Sequence, residues 1–330
     1  MTDKTPFLTA VRGYLNLGAN WKPRPGGSES GFAPITVTVK AQALRNVAHD
    51  LAMLNIPKPS TPRRLERIHI VALLTAWKMR GLAVTSQHKM LADLEGLLDS
   101  IGNPVIRQMR RDPRDRRLLP PNKPGAIVTL TEDELDRLRA AAAAMEGWRG
   151  SVCRFLVGAL PYTGLRPKEV RLAKLADVDL SKGFWFVSAP KGAGKWAAPD
   201  FAHIPPVARQ AFVDFLQERS AYLAGEESEW LLPLRKDNLG QEVGAASEDW
   251  LRHLKAEVAG LSGVRFRGWK SMRSTYCQMA IDAGASISAV SKAMRHGSTL
   301  TTELYYGRLR TEKAFAEIDR AFERPVKVVK

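Results

Sequence analysis

The sequence predicts a mainly α-helical protein with a small antiparallel β-hairpin or sheet, an α+β fold. Between residues 36 and 102 apolar residues recur at three- and four-residue steps, for example at Leu91, Leu94, Leu97 and Leu98. This spacing is typical of helices with one buried face. A second helical pattern begins at Thr131 and is interrupted between residues 176 and 205 by strand and turn signals. A length of 330 residues favours two domains.

The chain carries a large excess of positive charge. It has 50 Lys and Arg residues against 34 Asp and Glu, a net charge of +16 and a pI of about 10.0. A polyanion such as nucleic acid is therefore the first partner to expect, although an incidentally basic surface is the ordinary alternative. The sequence shows no amphipathic basic helix or lipidation signal, so we expect no membrane partner.

The cysteines and the first residues favour a cytoplasmic protein. Cys153 and Cys277 both lie in apolar helical contexts, and two cysteines are too few for a disulfide scaffold. The N-terminal residues lack the charged-then-apolar pattern of a signal peptide. Apolar runs such as 155–160 are too short to span a bilayer.

Composition divides the first 125 residues into three segments. Residues 1–33 contain the Gly- and Pro-rich stretch 21–31 after a short helical pattern, and we expect a flexible arm. Residues 34–102 predict about four short helices, separated by prolines 57, 59 and 62 and by Gly81. Residues 103–125 are rich in Pro and Arg, which predicts a basic interdomain linker. A solvated charge run is the usual interpretation of such a segment, and a linker that lies along a phosphate backbone is the alternative to which we give at least equal weight here. Its candidate DNA-binding residues are Arg107, Arg110, Arg111, Arg114, Arg116 and Arg117.

Residues 126–309 predict a second domain, followed by a C-terminal helix and tail over 310–330. Thr131-Glu-Asp-Glu134 has the spacing of a capping box and begins a helix that continues through the alanines 140–144. Strands at 184–187 and 201–204 flank the Gly-rich turn Lys191-Gly-Ala-Gly-Lys195. Helices are expected at about 149–162, 167–174, 206–223, 246–259, 269–283, 286–294, 299–306 and 311–322.

Several kinds of site are not favoured. The six histidines form no His-x-x-x-His pair and there is no Cys-x-x-Cys, so we expect no metal site. The Gly-Lys pair at 194–195 is not a P-loop, because Ala189 stands where the first glycine belongs and Trp196 where Ser or Thr must hold magnesium. Asp177 and Asp179 are interpreted as strand-edge residues rather than ligands of a metal nuclease.

Three short stretches together indicate chemistry on a phosphodiester. They are Tyr162-Thr-Gly-Leu-Arg-Pro-Lys-Glu169, Lys270-Ser-Met-Arg273 and Arg295-His-Gly-Ser-Thr-Leu-Thr-Thr-Glu-Leu-Tyr-Tyr306. Without a metal, the extra charge of the phosphoryl transition state can be met by the bidentate donors of arginines. A tyrosine phenol titrates near 10, so it needs cationic neighbours to act as a nucleophile. The leaving 5′ oxygen needs a lysine or histidine acid.

These stretches resemble the tyrosine recombinase family, also called the phage integrase family, over residues 126–322. The first stretch is similar to the family's first arginine box, with Arg166 as its arginine and Glu169 as its supporting acid. Lys270-Ser-Met-Arg273 matches the second box, which is usually His-x-x-Arg. Residues 34–102 are similar only in type to the family's helical core-binding domain.

The remaining matches carry the proton-transfer and nucleophilic roles. Arg295-His-Gly matches the later Gly-His-type motif, which implies a catalytic role for His296. Tyr305 lies nine residues after His296, where the family places its nucleophile, and the adjacent Tyr306 is a rival that the spacing disfavours. The family's hairpin lysine is matched by Lys191, with Lys195 as its rival. Since Lys270 replaces the usual histidine, it acts either as a base or as a phosphate ligand.

The resemblance implies a site-specific DNA recombinase that needs neither metal nor ATP nor another cofactor. Such enzymes form a 3′-phosphotyrosyl bond, free a 5′ hydroxyl and pass through a Holliday junction, with four protomers on two double-stranded DNA sites. Accessory DNA-bending proteins and a nucleoid-associated, cytoplasmic location are expected. The segment 310–330 either contacts a neighbouring protomer or packs on its own domain.

Other functions remain open at this point. Within the enzymes, the integrase of a mobile element is favoured over a resolvase- or invertase-type recombinase and over a type IB topoisomerase-like enzyme, but the shared chemistry cannot separate them. A catalytically weak DNA-binding accessory protein would be marked by a lost catalytic residue, and only the Lys270 exchange is seen. An RNA-binding or structural protein would leave the spacing of the arginines, histidine and tyrosine unexplained.

Overall fold

The computed structural model describes residues 5–20, 31–122, 127–188, 190, 198–235, 243–296 and 299. The chain forms two compact units, Met1–Gly125 and Ala126–Lys330. Among the described helices, none combines the length and the apolarity that crossing a bilayer requires.

The first unit is helical. A single 3-10 turn, Pro62–Arg64, precedes its third helix. Its helices are Pro6–Ala19 (α1), Pro34–Met53 (α2), Arg67–Met79 (α3), Val84–Ser100 (α4), Val105–Arg111 (α5) and Pro113–Arg116 (α6). Proline begins α1, α2 and α6, where its missing N–H is one that a helix leaves unbonded in any case.

A buried carboxylate ties two of these helices together. Asp50 of α2 is 8% exposed and accepts a hydrogen bond of 2.7 Å from the indole of Trp77 in α3. Arg80, at the end of α3, donates to both carboxylate oxygens, at 2.8 and 2.7 Å. A buried carboxylate needs such partners. In the core of the same unit, Leu44, Leu94 and Trp77 are fully buried.

The N-terminal arm expected over residues 1–33 is partly folded. Helix α1 places Val11 and Leu15, spaced by four residues, in the core of the first unit. Thr5 caps it by accepting a hydrogen bond of 3.3 Å from the Leu8 amide, and Tyr14 meets Phe32 edge to face at 5.6 Å. Helix α1 corresponds to the short helical pattern that precedes the Gly- and Pro-rich stretch 21–31.

The linker expected over residues 103–125 is likewise folded in its first part. Helix α5 buries Val105, Ile106 and Met109 in the core of the first unit. Asn103 fixes the turn before it, because its amide donates to the carbonyls of residues 62, 63 and 65. The prolines that suggested a linker, 104 and 113, stand at helix starts, where proline is tolerated. Residues 123–126 lie outside the described part.

The second unit combines helices with two small sheets. Its helices are Glu132–Ala143 (α7), Gly147–Thr163 (α8), Pro167–Arg171 (α9), Pro206–Leu223 (α10), Glu248–Ser262 (α11), Lys270–Asp282 (α12) and Ile287–Ala293 (α13). Its strands are Val178–Asp179 (β1), Phe184–Val187 (β2), Asp200–His203 (β3), Pro233–Arg235 (β4) and Val243–Ala245 (β5). The predicted capping box is confirmed: Thr131 accepts from the Glu134 amide at 3.2 Å, and Glu134 accepts from the Thr131 amide at 2.9 Å.

Helix α8 is the centre of the second unit and packs against α7, α10 and α12. Both cysteines are buried there, Cys153 in α8 and Cys277 in α12. Burial raises the pKa of each thiol to about 12. Gly164 ends α8 in the left-handed conformation, with φ of 62°. A Cβ at Gly164 would also lie 2.7 Å from the ring of Tyr276, so glycine is required twice over.

The predicted hairpin is confirmed as part of a three-stranded antiparallel sheet of order β1-β2-β3. Phe184 pairs with His203 and Phe186 with Phe201, while Trp185 on the other face is fully buried. The second sheet, β4-β5, was not predicted, because its three-residue strands lack an alternating apolar pattern.

The aromatic cluster under the sheet supplies a stability prediction. Phe155 is 1% exposed and stacks on Phe215 with ring centroids 4.3 Å apart. Phe155→Ala should lower the free energy of unfolding by about 3–5 kcal/mol, because it removes buried apolar surface and leaves a cavity. Urea unfolding would measure this. Leu261→Ala, at a 61% exposed position, is the control and should change it by less than about 0.5 kcal/mol.

Candidate active site

Glu169 organises the candidate site at the start of α9. Its side chain is 2% exposed. One carboxylate oxygen, Oε1, accepts from Nη1 of Arg166 at 2.6 Å, and Oε2 accepts from the Arg166 backbone amide at 2.9 Å. Arg295 donates through Nη2 to the same Oε2 at 2.7 Å. The carboxylate therefore fixes Arg166, whose side chain remains 23% exposed and can face a ligand.

Arg273, one turn into α12, is the most deeply buried arginine of the site. It is 2% exposed. Its guanidinium donates to the carbonyl of Gly164 through Nη1 and to that of Met294 through Nη2. These two bonds connect α12 with the ends of α8 and α13. A guanidinium has five N–H donors, so this anchoring is compatible with a contact to a phosphate oxygen.

His296 follows α13 in a short, tightly held turn. Its amide donates to the Ser291 carbonyl at 3.1 Å. The preceding residue, Arg295, has a φ of 53°. The structure thus brings together four of the residues that the sequence singled out, Arg166, Glu169, Arg273 and His296.

The charges of the site act on both of its weak acids. Burial lowers the pKa of His296, and the positive charges of Arg273, Arg166 and Arg295 lower it further, to about 4. The imidazole is therefore neutral at pH 7 and able to accept a proton. Burial alone would raise the pKa of Glu169, but the charge of Arg295 and the bonds from Arg166 lower it below its usual value.

Of the remaining predicted catalytic residues, the structure describes Lys270. Lys270 is exposed at the first position of α12, three residues before Arg273. Lys191 and Tyr305, together with their rivals Lys195 and Tyr306, lie outside the described residues, as does the segment 310–330. Within the described residues, no group of three or more His, Cys, Asp or Glu side chains could hold a metal ion.

The arginines predicted to bind DNA in 103–125 fall into two groups. Arg107 pairs with Asp99 and Arg110 with Glu95, at 2.7 and 2.9 Å. The other four are exposed and form no ion pair with the described residues: Arg111, Arg114, Arg116 and Arg117. Since an ion pair within the protein competes with a phosphate, these four are the better candidates for contact with a polyanion.

Arg295 is the residue of the site that sequence reasoning missed. In the sequence it stands out only as the first residue of the motif that contains His296. The available signal was a bulky cation directly before that histidine, where the resembling family has a Gly-His-type motif.

A comparison with protein-family models decides the family. The model described as the phage integrase family matches residues 128–312, more than half of the chain. The chain belongs to the phage integrase family. The match includes Arg166, Arg273 and His296, so the resemblance inferred from the motifs is confirmed.

Two tyrosine recombinases match this chain in sequence. Tyrosine recombinase XerA of Thermococcus kodakarensis is 28% identical over 195 residues, and tyrosine recombinase XerD of Caulobacter vibrioides is 25% identical over 202 residues. Each match covers 59% of this chain and 63% of the relative. The matched region is thus less than two thirds of either relative's length.

Solved structures show the same fold. The Tn1549 transposon integrase, in complex with a circular intermediate DNA, has a TM-score of 0.69 at 14% identity, covering 96% of this chain and all of that one. A λ integrase dimer bound to a COC′ core site has a TM-score of 0.60 at 16% identity, with 92% and 96% covered. The predicted fold class is therefore confirmed.

The pairing of Glu169 predicts a pH-dependent stability. Glu169→Gln should lower the free energy of unfolding at pH 7 by about 3 kcal/mol, because it leaves buried arginine charge uncompensated. The folded-state pKa is lowered, so the ionised carboxylate stabilises the fold above its unfolded pKa of about 4.3, and this is lost as the pH falls through the folded value. Urea unfolding should show that the difference in free energy of unfolding between wild type and Glu169→Gln is smaller at pH 3 than at pH 7.

Glu257→Gln is the matched control for that experiment. Glu257 pairs with Arg149 at the surface, and both side chains are about 40% exposed. The control should change stability by less than about 1 kcal/mol. A Glu169→Gln effect of equal size at both pH values would contradict the assigned charge of Glu169.

Proposed function

We propose that this chain is a tyrosine-type site-specific DNA recombinase, with the integrase of a mobile element as its favoured role. It cuts and rejoins DNA through a 3′-phosphotyrosyl intermediate without metal or ATP. The observation that carries the proposal is that Arg166, Arg273 and a neutral His296 lie in one site. Tyr305 follows His296 by nine residues in the sequence.

Each residue has a defined part in the proposed reaction. Arg166 and Arg273 donate to the non-bridging oxygens, on which charge increases in the transition state. The Tyr305 oxygen attacks phosphorus and gives its proton to His296, which is neutral at pH 7. The bond to the 5′ oxygen breaks as Lys191 supplies the proton that this leaving group needs. Lys270 stands beside the site either as a phosphate ligand or as an alternative base.

The second transesterification reverses the first. A 5′ hydroxyl from the partner strand attacks the phosphotyrosyl bond and returns the tyrosine. One phosphoester is exchanged for another, so no external energy is required. We further propose that four copies act on two duplex sites and that the reaction passes through a Holliday junction. Accessory DNA-bending proteins would assist, and the protein would be cytoplasmic and associated with the nucleoid. The DNA complexes of the similar solved structures support duplex DNA as the partner.

Covalent capture tests the proposal. Purified protein would be mixed with nicked duplexes from the flanks of its own gene, in EDTA, and run on a denaturing gel. We expect a protein–DNA adduct that survives denaturation. Tight binding without an adduct would instead support the accessory DNA-binding protein. If the adduct forms, plasmids carrying two sites would separate recombination from topoisomerase-like relaxation, which exchanges no partners.

The exposed arginines of α5, α6 and the residue after them predict the salt dependence of DNA binding. Changing Arg111, Arg114, Arg116 and Arg117 to Ala should reduce the slope of log K against log salt by up to about 4, since each lost phosphate contact removes about 0.9. Binding measured between low and moderate salt gives the slope.

The double variant Arg107→Ala, Arg110→Ala is the matched control, because both of these arginines pair with carboxylates of α4. It should reduce the slope less. An unchanged slope in the quadruple variant would place this surface away from DNA.

A further inference from the structure

Arg295 has a backbone conformation that arginine rarely adopts. Its φ is 53°, in the left-handed region, where a Cβ crowds the backbone and glycine is favoured. Of the described non-glycine residues, Ala224, at φ 50°, shares this conformation. This conformation costs an arginine energy that it would not cost a glycine, so the contacts of the Arg295 side chain are of interest.

The contacts of the Arg295 side chain include an ion pair with Glu169. The side chain is only 5% exposed, and its Nη2 donates to Glu169 at 2.7 Å. A weaker bond of 3.2 Å joins Nη1 to the carbonyl of Ala293, while Nε is buried without a hydrogen-bond partner in the described part of the chain. A buried guanidinium requires a paired charge. The ion pair with Glu169 is therefore the interaction that keeps Arg295 in place.

Through Glu169, Arg295 acts on Arg166. The carboxylate accepts from Nη1 of Arg166 on one oxygen and from Arg295 on the other. With Glu169 and Arg166 alone, the two charges would cancel. With Arg295 present, the three groups carry a net positive charge, and the partly exposed Arg166 keeps its attraction for a phosphate.

Arg295 also lies directly before His296 in the turn that follows α13. The peptide between them is held by the left-handed backbone of Arg295 and by the bond from the His296 amide to Ser291. Directly before Arg295, the carbonyl of Met294 accepts from Arg273. The Arg295 side chain thus anchors to α9 the turn that carries His296.

We propose that Arg295 is a positioning residue for phosphoryl transfer. Its ion pair with Glu169 orients Arg166 towards the phosphate and fixes the turn that presents His296. This inference rests on the proposed recombinase function, in which Arg166 and His296 act on the scissile phosphate.

Three substitutions separate this role from a purely structural one. Arg295→Gly removes the side chain but relieves the left-handed backbone, Arg295→Ala removes the side chain and keeps the strain, and Arg295→Lys keeps the charge. Single-turnover cleavage at saturating nicked DNA should fall about 100-fold for both Gly and Ala, because the reacting groups are displaced. The Lys variant should remain within about 10-fold of wild type. Ala224→Gly, the matched control for relief of strain, should cleave at the wild-type rate.

The pH dependence of the cleavage rate distinguishes the two roles, because a loss of stability alone would not shift its acid limb. The charges that act on His296 come from Arg273 of α12, Arg166 before α9 and Arg295 beside it, and burial acts in the same direction. Removing the charge of Arg295 therefore raises the pKa of His296, so the acid limb of the rate profile should shift to higher pH in the Gly and Ala variants. The limb should stay in place in the Lys variant.

Wild-type cleavage by Arg295→Gly would overturn the inference, since it would show that only the backbone conformation matters. An unmoved acid limb in every variant would do the same. A measurement without DNA keeps the inference separate from the proposed function. Urea unfolding would give the changes in free energy of unfolding for Arg295→Ala, Glu169→Gln and the double variant. Because the two residues are in contact, we expect the change in the double variant to differ from the sum of the two single changes. If wild type binds the DNA tightly but forms no adduct, the recombinase proposal fails, whereas additive unfolding effects would overturn the positioning role itself.

Discussion

Tyr305→Phe is expected to bind DNA with unchanged affinity and to form no covalent adduct. The substitution removes one oxygen, the proposed nucleophile, and retains the ring. Loss of a nucleophile removes the reaction that uses it, so we expect cleavage to fall by at least about 10,000-fold. A binding titration and denaturing gels of the same samples measure the two properties together.

Tyr306→Phe is the matched control for this variant, because it makes the same change one position later. In the helix expected over 299–306, adjacent positions would point about 100° apart, so we expect only one of the two hydroxyls to face the phosphate. Tyr306→Phe should therefore form the adduct at the wild-type rate. If instead only Tyr306→Phe abolished capture, the nucleophile would be Tyr306, and an adduct with both single variants would exclude both tyrosines as sole nucleophile.

Arg273→Ala is expected to slow cleavage by about 100- to 1,000-fold, the usual effect of removing one donor from a developing oxyanion. It should also destabilise the fold by several kcal/mol, since the carbonyls of Gly164 and Met294 lose their donors inside the protein. Arg273→Lys keeps the charge but not the bidentate geometry, and should recover stability better than rate. Single-turnover cleavage, DNA affinity and urea unfolding separate these effects.

Arg219→Ala is the matched control for loss of a buried arginine. Arg219 of α10 is 6% exposed and, like Arg273, donates to backbone carbonyls, those of Ser228 and Trp230. It should lose stability while the folded fraction cleaves at the wild-type rate. If Arg273→Ala changed DNA affinity but left the cleavage rate intact, Arg273 would lie outside the catalytic pocket.

Much of the second unit could be predicted because its signals are local. The capping box at Thr131 and the apolar periodicity place α7, α8, α10 and α12 to within a few residues. The hairpin follows from two aromatic strands around a Gly-rich turn. For the site, the spacing of Arg166, Arg273 and His296 was sufficient to recognise the family, although none of these residues is conspicuous alone.

The remaining features depend on contacts that a sequence pattern does not encode. Helices α1 and α5 are stabilised by burial against the rest of the first unit, which outweighs the Gly, Pro and Arg content of the surrounding segments. The ion pair of Arg295 with Glu169 joins residues 126 positions apart. Only the folded chain shows that Arg295 and Arg166 pair with the same carboxylate, that of Glu169.

The two buried thiols can be used to measure local unfolding of the second unit. The thiolate is the nucleophile that attacks alkylating reagents, and a pKa of about 12 makes the thiolate scarce while the cysteines are buried. Labelling of Cys153 therefore times the opening of α8, and labelling of Cys277 times that of α12. Cys277 lies one turn beyond Arg273. A decrease in its alkylation rate when DNA is added would therefore measure how strongly DNA binding stabilises α12 against local unfolding.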